Sequence, residues 1–159
     1  MCFITIFLRD RMRSEVHIVF GVGSSLLSGF FLDIIYAPLL IIGGFFGSLA
    51  PDLDLRIGHR RVFHNISFLI LMALVILFMS ISLRIPYEYI KALVIGFVAG
   101  FVSHLIGDSV TYRGIDLLYP FSKKSFRVPL GASSSLLVNA LGMVIGVSEI
   151  LLYIYLKIY

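Results

Sequence analysis

Charged residues are scarce in this chain. Only 14% of its 159 residues are Asp, Glu, Lys or Arg, whereas 59% are hydrophobic. A soluble domain is usually about one-quarter charged. A chain of this composition cannot cover its surface with polar groups, so its solvent must be lipid. The composition therefore excludes an ordinary soluble enzyme and predicts one membrane domain.

Cysteine and tryptophan are almost absent as well. The lone Cys2 excludes an internal disulfide and a metal site built from thiolates. No tryptophan is present, which leaves eight tyrosines to anchor helices at the membrane interface. The net charge of +4 is explained by membrane topology, as argued below. We therefore expect membrane lipids as partners and no nucleic acid.

The N-terminal segment does not have the pattern of a signal peptide. Its apolar run, residues 1–8, is too short for a signal core with its flanks. Two interpretations stay open: translation starts at Met12, or residues 1–11 form a tail outside the fold. In both, residues 12–159 form a single transmembrane domain.

Five apolar segments predict an all-α membrane bundle. The second has only 13 residues, about 20 Å at about 1.5 Å per residue, whereas a full span needs about 20 residues. We expect this segment to be short or re-entrant. Small residues recur at four-residue spacing in segments one, four and five, which indicates close helix contacts within the chain. The segments are residues 16–32, 38–50, 66–83, 89–107 and 134–156.

The basic residues predict the orientation. If the N-terminus is cytoplasmic and all five segments cross, ten of the thirteen lie inside, in agreement with the positive-inside rule. The cytoplasmic ten are Arg9, Arg11, Arg13, Arg56, Arg60, Arg61, Arg113, Lys123, Lys124 and Arg127. The same topology brings all four histidines to the cytoplasmic edge of the membrane, although histidine played no part in deriving it.

Histidine and aspartate predict a metal site at that edge. Imidazole and carboxylate are common ligands of zinc, manganese and iron. His104 and Asp108 are four residues apart and share one helix face, although a simple His–Asp hydrogen bond would explain the pair alone. Asp52 and Asp54 would face one ion if their turn is extended, and either could instead cap a turn. The full ligand pool is His17, Asp52, Asp54, His59, His64, His104 and Asp108.

Two arginines beside these residues suggest anion recognition. Arg60 and Arg61 follow His59, and guanidinium binds phosphate through two parallel hydrogen bonds. A positive-inside anchor for lipid headgroups explains them almost as well. Asn139 lies near the inner end of the fifth segment and is a candidate for a residue that orients a metal ligand without binding the metal itself.

The ordered motifs resemble a known family, the LexA-binding, inner-membrane-associated, metal-dependent hydrolases (YdjM-like). The resemblance extends from about Met12 to the C-terminus. It implies a metal-dependent hydrolase domain in which Thr111 supports the ligands. The motifs that carry it are His17, Pro51-Asp52-x-Asp54, His59-Arg60-x-x-x-His64, His104-x-x-x-Asp108-x-x-Thr111 and Tyr119-Pro120.

The sequence therefore predicts a membrane-embedded hydrolase of phosphate esters or phospholipids. Seven candidate ligands exceed one tetrahedral site, so one or two divalent ions, zinc or manganese, are expected. The metal would activate water, Asp54 would act as general base if it is not a ligand, and Arg60 and Arg61 would hold the substrate. The main alternative is a non-enzymatic membrane regulator with a structural metal and a soluble cytoplasmic partner. A metal or proton transporter is a weaker alternative, because it would place ligands near the bilayer midplane.

Overall fold

A computed structural model describes residues 13–56, 60–112, 114–122 and 124–159, without the side chains of residues 54–56, 60 and 61. In these ranges the protein is helical, and its only β-structure is two isolated bridges. The all-α prediction is confirmed, and each of the five apolar segments contains one long helix. The α-helices are α1 (Ser14–Ser28), α2 (Ala37–Leu49), the one-turn α3 (Arg60–Phe63), α4 (Ile66–Ser82), α5 (Tyr87–Ser109) and α6 (Leu136–Ile158).

The helical stretch that contains α2 is longer than the apolar segment predicted from the sequence. Its α-helical part has 13 residues and a proline in its first turn, a position that needs no backbone N–H donor. Short 3-10 helices, Ile34–Tyr36 and Ala50–Arg56, continue it at both ends. The resulting helical stretch, Ile34–Leu53, has 20 residues and is long enough to cross a membrane, as are α5 and α6. Its length therefore does not require a re-entrant path.

The 3-10 turn after α2 corrects one local prediction. Residues 50–56 are helical, so they do not form the extended turn in which Asp52 and Asp54 would point the same way. In a 3-10 helix, side chains three residues apart are aligned, and those two apart diverge. The backbone of residues 50–56 therefore lacks the alternation on which that prediction depended, and the side chain of Asp54 lies outside the described part of the molecule.

Helices α1, α2 and α5 pack against one another, α6 packs on α1, and α4 packs on α5. Glycines make the central contact close, since a Cβ added at Gly44 would meet Ser25 and Gly21 of α1. A Cβ added at Gly100 of α5 would collide with the backbone of Gly44. The small-residue pattern thus serves contacts within the chain, as predicted, and fixes the spacing of α1, α2 and α5.

We expect Gly100→Ala to destabilise the bundle by about 1–3 kcal/mol, the usual cost of overpacking a close contact. The added methyl group has no space, because it meets backbone that cannot rotate away. Gly142→Ala is the matched control, since Gly142 borders an apolar cavity of about 140 Å³. Thermal unfolding in detergent should show a lower midpoint for Gly100→Ala alone. Equal midpoints for both variants would contradict this packing.

Hydrogen bonds also join α6 to α1 and to Leu32, which follows the C-terminal end of α1. The Ser24 hydroxyl donates to Glu149 Oε2 at 2.9 Å, and Lys157 Nζ donates to the Leu32 carbonyl at 2.5 Å. The Ser24 hydroxyl gives the Glu149 carboxylate a hydrogen-bond partner within a membrane helix, where an ionisable group would otherwise be costly. Glu149 therefore has a role in helix packing that is separate from the histidines.

Candidate metal site

The fold brings five of the seven proposed ligands to one end of the bundle. His17 lies in the first turn of α1, and Asp52 lies in the 3-10 turn after α2. His64 lies two residues before α4, while His104 and Asp108 belong to the last two turns of α5. Because α1 runs antiparallel to α2 and α5, the N-terminal end of α1 lies beside the C-terminal ends of α2 and α5. The imidazoles are almost completely buried.

Asp108 and Asp52 face the same two imidazoles. Oδ2 of Asp108 lies 3.4 Å from Nε2 of His64 and 3.7 Å from Nε2 of His104. Oδ1 of Asp52 lies 3.8 Å and 3.9 Å from the same two nitrogens. Both carboxylates therefore lie 3.4–3.9 Å from the same two imidazole nitrogens, and the four residues come from three chain segments: the turn after α2, the residues before α4 and the end of α5.

His17 lies on the other side of Asp108. Its Nε2 is 3.6 Å from Oδ1 of Asp108, the oxygen that does not face His64. The His17 ring stacks on the His104 ring, with centroids 3.9 Å apart and planes 16° apart. The donors thus form two adjacent groups: His17, His104 and Asp108, and Asp52, His64 and His104. The two Asp108 oxygens face different histidines, because Oδ1 faces His17 while Oδ2 faces His64 and His104.

The tautomer of His104 is fixed by the backbone. Its Nδ1 lies 2.6 Å from the carbonyl oxygen of Ser48. A carbonyl only accepts, so Nδ1 carries the proton and, in the neutral ring, Nε2 carries a lone pair. This Nε2 is buried and has no hydrogen-bond partner among the described residues. In metal-binding histidines, the ring nitrogen that does not bind the metal commonly donates its proton to a backbone carbonyl in this way.

These donor atoms fit a metal ion better than they fit one another. The lone pair of His104 and the carboxylates of Asp52 and Asp108 lie close together, and a bound cation would offset their negative charge. An imidazolium would be expected to close to about 2.7–2.9 Å from its carboxylate, but the observed separations are 3.4–3.9 Å. Ligands about 2.1 Å from a tetrahedral zinc ion lie about 3.4 Å apart. The spacing and chemistry of the donors therefore match a divalent metal.

The two proposed supporting residues act on the backbone. Thr111 Oγ1 donates to the Asp108 carbonyl oxygen at 2.8 Å and stabilises the end of α5. Asn139 Nδ2 donates to the carbonyls of Ser133 and Ser135, and its Oδ1 accepts from the Arg13 backbone N–H. Asn139 thus joins the start of α6 to the start of α1. Its contact on α1, Arg13, lies about one helical turn before His17. Their influence on the ligands stays a prediction.

Four predicted functional side chains lie outside the described part of the molecule: Asp54, His59, Arg60 and Arg61. Sequence reasoning did not identify the Ser48 carbonyl, because a backbone oxygen leaves no signature in residue type. It also missed Asn65, whose Oδ1 accepts from the Phe68 N–H at 2.8 Å and caps α4 directly after His64. Asn65 could have been found, since asparagine before an apolar helix is a common cap.

Comparison with known proteins assigns the chain to a family of membrane proteins. The family model described as "YdjM inner membrane protein" matches residues 12–159. The chain belongs to this family. It is also 30% identical over 138 residues to the uncharacterized protein YvsG of Bacillus subtilis, covering 75% of this chain and 79% of that protein. No solved structure matches. The YdjM family match and three helices of spanning length among the described residues identify a membrane protein.

Proposed function

We propose that this YdjM-family protein is a membrane-embedded, metal-dependent hydrolase that cleaves a phosphate ester, most simply a phospholipid, at the cytoplasmic face. The supporting observation is that the carboxylates of Asp52 and Asp108 both face Nε2 of His64 and Nε2 of His104, at 3.4–3.9 Å. These four side chains would hold a first zinc or manganese ion. His17 and the second Asp108 oxygen would contribute to another. When bound, the metal lowers the pKa of a water molecule and polarises the ester.

The exposure of the ligands suggests where the substrate enters. The side chain of Asp52 is 16% exposed, whereas that of Asp108 is 4% exposed and that of His104 is 0% exposed. The open side of the site is therefore the Asp52 side, from which the chain continues into residues 54–61. That segment supplies Arg60 and Arg61 for the anionic group and Asp54 as the base that accepts the proton from water.

The location of the site at one end of the bundle favours a hydrolase over a transporter. The ligands lie at the start of α1 and the end of α5, and not halfway along the helices, where a transporter would bind its cargo. With the N-terminus inside and several crossings, as the basic residues predict, this end faces the cytoplasm.

A variant lacking both arginines should keep its metal and lose affinity for substrate. Arg60→Gln with Arg61→Gln removes two charges and their forked donors without removing a ligand. We expect KM for an anionic phospholipid in mixed micelles to rise at least about tenfold, which corresponds to about 1.4 kcal/mol. Lys91→Gln is the control, since it removes a basic charge paired with Glu88 at the opposite end of α5. An unchanged KM in the double variant would exclude this role.

Hydrolysis itself is tested on a panel of phospholipids and simple phosphodiesters, with and without chelator. We expect turnover to vanish on chelation and to return on adding zinc or manganese, and Asp54→Asn to lower kcat by about 100-fold, the smaller effect typical of a general base. Full activity after complete metal removal would contradict the mechanism. A tightly bound metal without cleavage of any ester would instead indicate a regulator with a structural ion.

A further inference from the structure

The loop between α5 and α6 has a defined backbone structure. Ile115 and Phe126 form an antiparallel pair, with N–H···O distances of 2.9 Å and 2.7 Å. They close a segment, residues 115–126, that we call the interfacial loop; residue 123 lies outside its described part. Two further bonds fix this loop to the first turn of α4: Ile66 N–H to the Leu117 carbonyl and Ser67 Oγ to the Tyr119 carbonyl.

Hydrogen bonds hold the interfacial loop beside the N-terminal end of α4 and the C-terminal end of α5. Beyond Phe126, Val128 N–H donates to the Ser109 carbonyl, and Leu130 N–H donates to the Val110 carbonyl, at the end of α5. The loop is therefore bonded to the start of α4 and the end of α5, the bundle end that carries the metal ligands. Because α5 is long and apolar enough to cross a membrane, this end lies near the membrane surface.

The surface of the loop combines exposed apolar and basic side chains. Phe121 is 89% exposed, Leu118 55% and Phe126 53%, while Lys124 and Arg127, the residue directly after the loop, are also exposed. Phe126 borders an apolar groove of about 240 Å³ that α4 and α5 also line. The apolar surface of the loop is therefore continuous with the helix surfaces that face lipid. Large apolar side chains among cations are typical of segments that lie in the headgroup region.

We infer that the interfacial loop inserts Leu118 and Phe121 into the cytoplasmic leaflet, with Lys124 and Arg127 against the phosphates of anionic phospholipids. The partner is the lipid surface of the protein's own membrane, because the loop is bonded to the helix ends at that level and carries the complementary charge. This inference does not depend on hydrolase activity. It places the metal ligands at headgroup depth through the bonds between the loop and the end of α5.

The absence of tryptophan makes a direct test available. Phe121→Trp introduces the only indole in the protein, and it can be measured in the full-length protein in vesicles of phosphatidylcholine and phosphatidylglycerol. We expect emission at shorter wavelength than for an indole in water, protection from iodide, and strong quenching by lipids brominated near the top of the acyl chain. Leu74→Trp, an exposed position in the middle of α4, is the control and should be quenched more by deep bromines.

The charge contribution is tested in the same background. Adding Lys124→Gln and Arg127→Gln to the Phe121→Trp protein should reduce the quenching and abolish its increase with phosphatidylglycerol content. An indole quenched by iodide and unaffected by brominated lipid would overturn the inference. Protection from both quenchers would also overturn it, because a protein surface would then cover the loop. Leu118→Trp provides a second reporter if Phe121→Trp does not fold.

Discussion

Replacing Asp108 with asparagine should reduce the metal affinity of the purified protein by at least about 100-fold. The Asp108 carboxylate lies within 3.4–3.7 Å of nitrogens of His17, His64 and His104, so it contributes to both donor groups. Removing a residue that only supports a ligand already costs about 10–100-fold, and removing the ligand charge should cost more. Metal content after dialysis against a weak chelator measures the effect.

Asp33→Asn is the matched control for this variant. Its carboxylate accepts from the Ile35 N–H at 3.0 Å and caps the 3-10 turn before α2, away from the histidines. Asparagine can accept the same hydrogen bond, so this variant should retain the metal of the unmodified protein. His104→Ala should resemble Asp108→Asn. Unchanged metal content in both His104→Ala and Asp108→Asn would contradict a shared site.

Chelation should lower the free energy of unfolding of the protein by about 3 kcal/mol. Without a cation, the carboxylates of Asp52 and Asp108 converge on a buried lone pair of His104, and an uncompensated buried charge costs about 3–5 kcal/mol. Together with His64, these residues connect α2, α4 and α5, so the destabilisation should extend over the bundle. Thermal unfolding with and without chelator, followed by helical circular dichroism, measures it.

Two variants make this stability test specific. Glu149→Gln alters the carboxylate bonded to Ser24, away from the site, and should keep the full response to chelator. Asp52→Asn with Asp108→Asn removes the converging charges, so its stability should hardly depend on metal. A chelator response that persists in the double variant would place the stabilising ion elsewhere.

The sequence predicted the helices and the end of the bundle at which the ligands meet. The helices follow from the long apolar runs, and the shared end follows from the distribution of arginine and lysine along the whole chain. His104 and Asp108 were paired correctly because i,i+4 spacing is a property of one helix. Contacts between segments, such as the stacking of His17 on His104, depend on how closely α1 and α5 approach, which no local pattern specifies.

Local backbone geometry was less predictable than ligand type. The turn containing Asp52 is a 3-10 helix, and the spacing of two aspartates does not distinguish it from an extended turn. The carbonyl of Ser48 sets the tautomer of His104, yet any residue at that position would offer the same oxygen. The sequence therefore predicts the donors, and the fold specifies their separations.

X-ray absorption spectroscopy of the purified protein tests the central claim most directly. The account predicts at least one zinc or manganese ion per chain, with nitrogen and oxygen ligands at about 2.0–2.2 Å and the outer-shell scattering of at least two imidazoles. Asp108→Asn should lose most of this signal. A protein that binds no transition metal after exposure to zinc and manganese, or binds one without imidazole, would contradict the account.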